Sequence, residues 1–138
     1  MRPTKEHAIS LDYRVEFHHC DPLGVVWHGR YFEFLEGARA ALMKSVGLDV
    51  PEIRALGHRM FVTEARCRYM AAASLGDELR VTAWFSGREP LIRVTYDVYD
   101  VTTERWCARA TTVLATTDAA GGLIARTPDA ILSRLPRD

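Results

Sequence analysis

Residues 18–31 read HHCDPLGVVWHGRY. Asp21 stands first, Pro22 second and Gly24 fourth in a four-residue stretch, a pattern that favours a type I turn. A short run of backbone amides then leads to His28, where a helix is predicted to begin. An aspartate can act as a base or a nucleophile, and free amides at a helix N-terminus can stabilise a developing oxyanion. The segment therefore predicts a site that handles negative charge.

Periodicity defines the elements on either side of this segment. Residues 9–17 alternate apolar and polar side chains, which predicts a half-buried strand with Phe17 facing inward. A helix is predicted from Trp27 to Val46 and ends at Gly47, which suits a C-cap. Its apolar face is Tyr31, Phe34, Leu35, Ala38 and Leu42, widened by Phe32, Met43 and Val46. More than half of the circumference is apolar, so we expect a curved sheet to wrap the helix.

The rest of the chain predicts mainly strands. A short helix over 51–56 precedes strand-like segments at 59–71, 77–86, 91–101 and 105–117. In the first of these, one set of side chains alternates with the charged residues Glu64, Arg66 and Arg68; the set is Phe61, Thr63, Ala65, Cys67 and Tyr69. A terminal helix is predicted with Thr127 as N-cap and Pro128 as its first residue. Residues 1–138 are thus expected to form one α+β domain, with the long helix packed across an antiparallel sheet.

Composition excludes several classes of protein. The 138 residues carry no net charge and no basic stripe, which argues against a nucleic-acid partner. No apolar run is long enough for a membrane span, and the first ten residues lack the apolar core of a signal peptide, so we expect a cytoplasmic protein. Three widely spaced cysteines without a Cys-x-x-Cys pair predict neither disulfides nor a metal site.

Residues 21–31 also carry a family resemblance. The core Asp-x-x-Gly-Val-Val-x-His-x-x-Tyr resembles the hotdog-fold acyl-CoA thioesterases, in particular the 4-hydroxybenzoyl-CoA thioesterase family and its Tol-Pal-associated branch. The segments 69–77 and 119–128 fit the same layout. The resemblance implies a five-stranded antiparallel sheet around one long helix. It also implies homodimers or homotetramers with active sites at the subunit interface.

The resemblance further implies roles for individual residues. Asp21 would attack the thioester or activate water, and the amide near His28 would polarise the thioester carbonyl. The predicted catalytic set is Asp21, Val26, Trp27 and His28, where Val26 and Trp27 contribute amides. The predicted substrate contacts are Gly24, Val25, Tyr31, Arg88 and Arg126, of which the two arginines would meet coenzyme A phosphates. The substrate would be an acyl-CoA or an acyl-carrier thioester, and no separate cofactor is expected because coenzyme A belongs to the substrate.

Each role has a simpler structural alternative. Asp21 could only form the turn, and His28 could cap the helix instead of orienting water or substrate. Trp27 could line an aromatic acyl pocket or provide ordinary packing. Glu36 on the long helix is the alternative catalytic carboxylate, although an ion pair with Arg39 is the structural expectation for it.

The sequence thus predicts a thioester hydrolase acting on a small or aromatic acyl group. Trp27-His28 combines features of two branches of the family, so neither branch supplies the acyl preference. The alternatives are a hotdog hydratase or dehydratase, and a hotdog protein that binds acyl-CoA without turnover.

Overall fold

A computed structural model describes residues 6–137 of the chain. The strands are β1 (Ile9–Arg14), β2 (His58–Tyr69), β3 (Glu78–Gly87), β4 (Ile92–Asp100), β5 (Arg105–Asp118) and β6 (Leu123–Ile124). The helices are α1 (Tyr31–Ser45), α2 (Val50–Ala55) and α3 (Asp129–Leu132), and single turns of 3-10 helix cover Phe17–His19 and His28–Arg30. The predicted order of elements is confirmed, apart from the two-residue strand β6, which no sequence pattern predicts.

The strands form one antiparallel sheet in the order β1-β3-β4-β5-β2, and β6 pairs with β5. Helix α1 contacts β3 and β1, whereas α2 contacts β2. The long helix therefore lies across one face of a sheet that contains the five predicted strands and the short β6, which confirms the predicted α+β class.

Helix α1 buries the face that its periodicity predicts. Its buried side chains are Tyr31, Phe34, Leu35, Ala38, Leu42 and Met43. They pack against apolar side chains of β3, β4 and β5, including Val81, Val94, Tyr96 and Val98. Gly47 follows the helix with φ +74°, and the Leu48 amide donates to the carbonyl of Met43 (2.9 Å). This is the Schellman arrangement that glycine favours at a helix end.

The first strand is shorter than its sequence pattern. It ends at Arg14, and the next residues turn so that Phe17 is 83% exposed. The Glu16 amide donates to Nδ1 of His19 (2.8 Å), and the His19 ring packs edge-on to Phe34 at 4.8 Å. The prediction that Phe17 faces inward is therefore wrong, because His19 occupies the position beside the helix.

The structure differs from the prediction at two further places, one inside strand β2 and one at the start of the terminal helix. In β2 the register with β5 shifts between Val62 and Glu64, so a bulge at Thr63 turns Phe61 outward and leaves Met60 and Val62 half-buried. A bulge inverts the inside and outside positions that strict alternation assigns. The terminal helix begins one residue later than predicted, with Pro128 as its N-cap.

A glycine in α1 allows β1 to approach the helix closely. A Cβ atom at Gly37 would collide with the hydroxyl of Tyr13 on β1. Replacing glycine by alanine inside a helix normally stabilises it by about 1 kcal/mol. Here the close contact outweighs that gain.

We therefore expect Gly37→Ala to lower the free energy of unfolding by about 1–3 kcal/mol, the usual cost of overpacking. Urea denaturation measures this change. Adding Tyr13→Phe removes the colliding oxygen and should recover part of the loss, whereas a fully additive double variant would contradict the contact. Ala40→Gly on the exposed side of α1 is the control for helix propensity.

Candidate active site

The Asp-Pro-Leu-Gly segment forms the tip of a small hairpin. The Gly24 amide donates to the carbonyl of Asp21 (3.0 Å), which closes the predicted turn. Gly24 then adopts φ +79°, and the Asp21 amide donates to the carbonyl of Val25 (2.9 Å). A type I turn followed by a left-handed residue is a common three-residue hairpin connection. The turn therefore fixes the position of Asp21 relative to the chain that leads into α1.

Asp21 is half-buried, and one of its two carboxylate oxygens is used within the hairpin. Oδ1 accepts a hydrogen bond from the Leu23 amide (2.8 Å). The other oxygen has no hydrogen-bond partner among residues 6–137. The structural role of Asp21 as a turn residue is thus real, yet it leaves one carboxylate oxygen free to accept a proton or to attack.

The amides that follow the turn are not equally available. The Val26 amide donates to the carbonyl of Ala73 (2.8 Å) and the Trp27 amide to that of His19 (3.0 Å). These bonds occupy the amides of Val26 and Trp27 within the chain, so neither amide is an unpartnered donor. Within the described chain, the amides of His28 and Gly29 have no carbonyl partner. They begin the 3-10 turn that leads into α1, so they are the orphan donors expected at a helix N-terminus.

Aromatic side chains surround this helix start. The indole of Trp27 is 50% exposed, and its ring centroid lies 5.0 Å from the ring of His28. The Tyr69 hydroxyl donates to the carbonyl of His28 (2.8 Å), and the two rings meet edge to face at 6.2 Å. A Cβ at Gly29 would collide with the indole, so glycine is needed for this packing. The cluster presents apolar ring surface beside two free amides.

Tyr31 lies beneath this cluster and is a buried residue. Its ring contacts those of Tyr69 (5.3 Å) and Phe34 (6.2 Å), and its hydroxyl accepts a hydrogen bond from the Ala73 amide (3.4 Å). Burial raises the pKa of Tyr31 to about 12. Tyr31 therefore stays neutral at physiological pH, and its buried side chain supports the aromatic cluster from the protein interior.

The loop before β3 holds the hairpin against the sheet. Val25 forms a bridge with Ser74, and the Leu75 amide donates to the carbonyl of Gly24 (3.1 Å). The local sequence pattern predicts only a turn at residues 74–77, without a connection to the site, and it predicts no site role for Tyr69. The turn residues Leu75-Gly76-Asp77 were the available signal, but no local pattern says which loop they will contact.

Arg88 and Arg126 lie far from Asp21 within one chain. Arg88 follows β3, whereas the Asp21 hairpin contacts the loop before β3, and a ten-residue strand spans roughly 30 Å. Nη2 of Arg88 donates to the carbonyl of Leu132 at the end of α3 (3.1 Å). Arg126 pairs with Glu89 at 2.9 Å. One chain therefore does not bring the two predicted phosphate contacts together with the predicted catalytic residue.

Glu36 is exposed on α1, roughly 12 Å along the helical chain from His28. Together with Arg39, Met43 and Met60 it lines a surface recess of about 240 Å³. The predicted ion pair between Glu36 and Arg39 is not formed among residues 6–137, where Arg30 pairs with the neighbouring Glu33 instead (2.6 Å). Glu36 is thus a free carboxylate outside the aromatic cluster.

The described residues contain neither a metal-binding cluster nor a helix that could span a membrane. Between residues 6 and 137, no three His, Cys, Asp or Glu side chains come together in an arrangement that could bind a metal ion. No helix in the same range is both long enough and apolar enough to cross a membrane.

Comparison with known proteins gives relatives and structural neighbours. A candidate esterase from Synechocystis sp. is 37% identical over 76 residues, which cover 55% of this chain and 46% of the relative. The chain matches less than half the length of its curated relatives. A 1,4-dihydroxy-2-naphthoyl-CoA thioesterase from Synechocystis superposes with a TM-score of 0.79 at 18% identity, covering 93% of this chain and 95% of the neighbour.

A second solved structure is a 4-hydroxybenzoyl-CoA thioesterase variant with 4-hydroxybenzoyl-CoA bound. It superposes with a TM-score of 0.82 at 19% identity and covers 94% of this chain and 99% of the neighbour. At these identities the neighbours establish the hotdog fold alone. The family model of the thioesterase-like superfamily matches residues 15–135 of this chain. Because this match covers most of the chain, the protein belongs to the thioesterase-like superfamily.

Proposed function

We propose that the protein hydrolyses acyl-CoA thioesters at the hairpin and helix start formed by residues 21–29. The observation that carries this proposal is the free carboxylate oxygen of Asp21 on the same hairpin that ends at the two unpartnered amides of His28 and Gly29. Membership of the thioesterase-like superfamily supports thioester hydrolysis as the reaction. The names of the neighbouring structures support a coenzyme A thioester as substrate.

The chemistry needs few groups. Asp21 accepts a proton from water while the water oxygen adds to the thioester carbonyl, or the carboxylate itself adds to that carbon and water releases the acyl group afterwards. In both routes the amides of His28 and Gly29 would stabilise the oxyanion, and the carbon–sulfur bond breaks to release a thiolate. A thiol is acidic enough to leave without a dedicated proton donor. The helix dipole favours negative charge near the start of the helix, both on the Asp21 carboxylate and on the oxyanion.

The aromatic cluster supports a small or aromatic acyl group. Half of the Trp27 surface is exposed beside the helix start, and Tyr69 and His28 present further ring surface. Stacking on such rings favours flat apolar groups. His28 would assist by orienting water or substrate, since its side chain is exposed next to its own free amide.

We expect Asp21→Asn to lower kcat for acyl-CoA hydrolysis by about 100- to 10,000-fold, because the amide cannot accept a proton. Thiol release from a panel of benzoyl, hydroxybenzoyl and short-chain acyl-CoAs measures this effect. Glu36→Gln is the matched control and should leave kcat within about twofold. The reverse result, with Glu36 essential and Asp21 dispensable, would refute the assignment. Hydration of an enoyl-CoA without hydrolysis would support the hydratase alternative instead.

We also propose that the working site is shared between copies of the chain. Phe17, Leu23 and Leu75 are exposed around the hairpin. The 12-residue β2 pairs with β5 along one edge, and no other strand of residues 6–137 pairs with its second edge. Clustered apolar residues and a long unpaired strand edge are features that proteins usually cover. A homodimer or homotetramer would cover them.

A second copy would also explain how arginines at the far end of the sheet reach coenzyme A. The Arg126–Glu89 pair is largely exposed, so it contributes little stability and Arg126 can exchange it for a phosphate. Arg88 is already bonded to α3, so Arg126 is the better candidate for this contact.

We expect Arg126→Ala to raise KM for an acyl-CoA about tenfold with little change in kcat, because a phosphate contact far from the carbonyl contributes binding energy. The same acyl group on N-acetylcysteamine lacks the phosphates, so its hydrolysis should not change. An equal loss with both substrates would contradict a phosphate contact.

Light scattering should give the mass of a dimer or tetramer for the purified protein. Mixing Asp21→Asn with Arg126→Ala copies under exchange conditions should restore activity at low acyl-CoA concentration, since one site of each mixed dimer then has both native residues. A monomeric mass, or no recovery after proven exchange, would refute the shared site.

A further inference from the structure

Two buried carboxyl groups lie against each other beneath the hairpin. Asp77 is 8% exposed and Asp100 is completely buried. Oδ2 of Asp77 accepts a hydrogen bond from the Ser74 amide (2.9 Å), and Oδ1 of Asp100 accepts one from the Thr103 amide (3.1 Å). Leu79 pairs with Asp100 across the antiparallel strands β3 and β4, and Asp77 lies two residues before Leu79, so the two aspartates share one face at adjacent strand ends. Oδ2 of Asp100 is buried and has no donor among the described residues.

No cation among residues 6–137 forms an ion pair with either aspartate. The Arg105 guanidinium is a positive charge that acts on Asp77, but its weak hydrogen bonds run to the carbonyl of Ala72 (3.5 Å) and to the hydroxyl of Thr103 (3.4 Å). Arg105 forms no ion pair with another residue in the range 6–137. The other titratable groups that face the pair are the Cys107 thiol from β5 and the Tyr31 hydroxyl from α1, and both are neutral at physiological pH.

Two adjacent carboxylates cannot both ionise cheaply in a buried site, whereas one shared proton turns the repulsion into a hydrogen bond. That proton would also supply the missing donor for Oδ2 of Asp100. We propose that the protonated Asp77 carboxyl group donates a hydrogen bond to the Asp100 carboxylate. We propose further that this hydrogen bond positions the hairpin that carries Asp21. Asp77 and Asp100 are positioning residues in this proposal, because neither lies on the aromatic cluster.

The connection from the pair to the hairpin is a short series of backbone hydrogen bonds. Asp77 holds the loop before β3 through Ser74, by its side chain and by its own amide (3.0 Å). Ser74 forms the bridge with Val25, four residues after Asp21. The Asp77 carbonyl also accepts the Val15 amide (2.8 Å), which fixes the chain that enters the hairpin. Displacement of this loop would therefore move both ends of the hairpin.

The direction of the pH dependence follows from burial. Burial and then the hydrogen bond to Asp100 raise the pKa of Asp77 above its ordinary value of 3.8. A group whose pKa is raised in the folded state stabilises the fold fully at pH values below the unfolded pKa. That stabilisation decreases as the pH rises from 3.8 through the raised pKa of the folded protein.

Asp77→Asn tests the shared proton, because its amide nitrogen can donate to Asp100 while its oxygen accepts the Ser74 amide. We expect Tm of this variant to equal that of the native protein near pH 4 and to exceed it by at least about 3 °C at pH 8. Asp12→Asn, an exposed aspartate on β1, should show no such trend. A Tm difference that stays constant with pH, or that becomes negative at high pH, would overturn the proposal.

The positioning role rests on the proposed function and needs a second measurement. Asp77→Asn and Asp100→Asn should both keep kcat within about twofold, whereas Asp77→Ala, which removes the donor, should lower kcat at least tenfold with little change in KM. If Asp77→Ala does not fold, the two asparagine variants still decide the matter, because a tenfold loss of kcat in both would refute the positioning role. Absence of hydrolysis by the native protein, together with the expected Tm pattern, would refute the proposed function and leave the shared proton supported.

Discussion

The backbone bridge between Val25 and Ser74 joins the candidate site to the sheet. On one side of it lies the hairpin with Asp21, and on the other lies the loop that leads into β3. The bridge uses the Val26 and Leu75 amides, so both donors are occupied within the chain. The Trp27 amide is occupied as well, by the carbonyl of His19, and the amides of His28 and Gly29 remain as the candidate oxyanion donors. The division of roles among neighbouring amides is thus a consequence of tertiary pairing.

The long helix determines the electrostatic properties of the His28 and Gly29 amides. Helix α1 is anchored by a continuous buried face, and the 3-10 turn at His28–Arg30 extends it toward the hairpin. Orphan amides at a helix start are electropositive and point along the helix axis. Packing that was selected to bury apolar surface therefore also orients a pair of hydrogen-bond donors. The indole of Trp27 lies close to Gly29, and the Tyr69 hydroxyl donates a hydrogen bond to the carbonyl of His28.

Local sequence patterns correctly predict the elements that depend on residues close together in the chain. The period of α1, the left-handed glycine after it and the Asp-Pro-Leu-Gly turn all agree with the structure. The departures have nonlocal causes. The bulge at Thr63 is a matter of register with β5, and the exposure of Phe17 results from His19 packing on Phe34. The distance of Arg88 from Asp21 follows from the length and direction of β3.

The buried pair of Asp77 and Asp100 shows why some residues that support a site cannot be identified from a single sequence. The two residues lie 23 positions apart, at the start of β3 and the end of β4, and antiparallel pairing brings these strand ends together. Each aspartate alone reads as an ordinary turn residue, and each does accept a backbone amide in its own turn. Only their mutual burial makes protonation a structural requirement. In the proposed arrangement, a buried carboxyl group that is kept neutral holds the hairpin that carries Asp21.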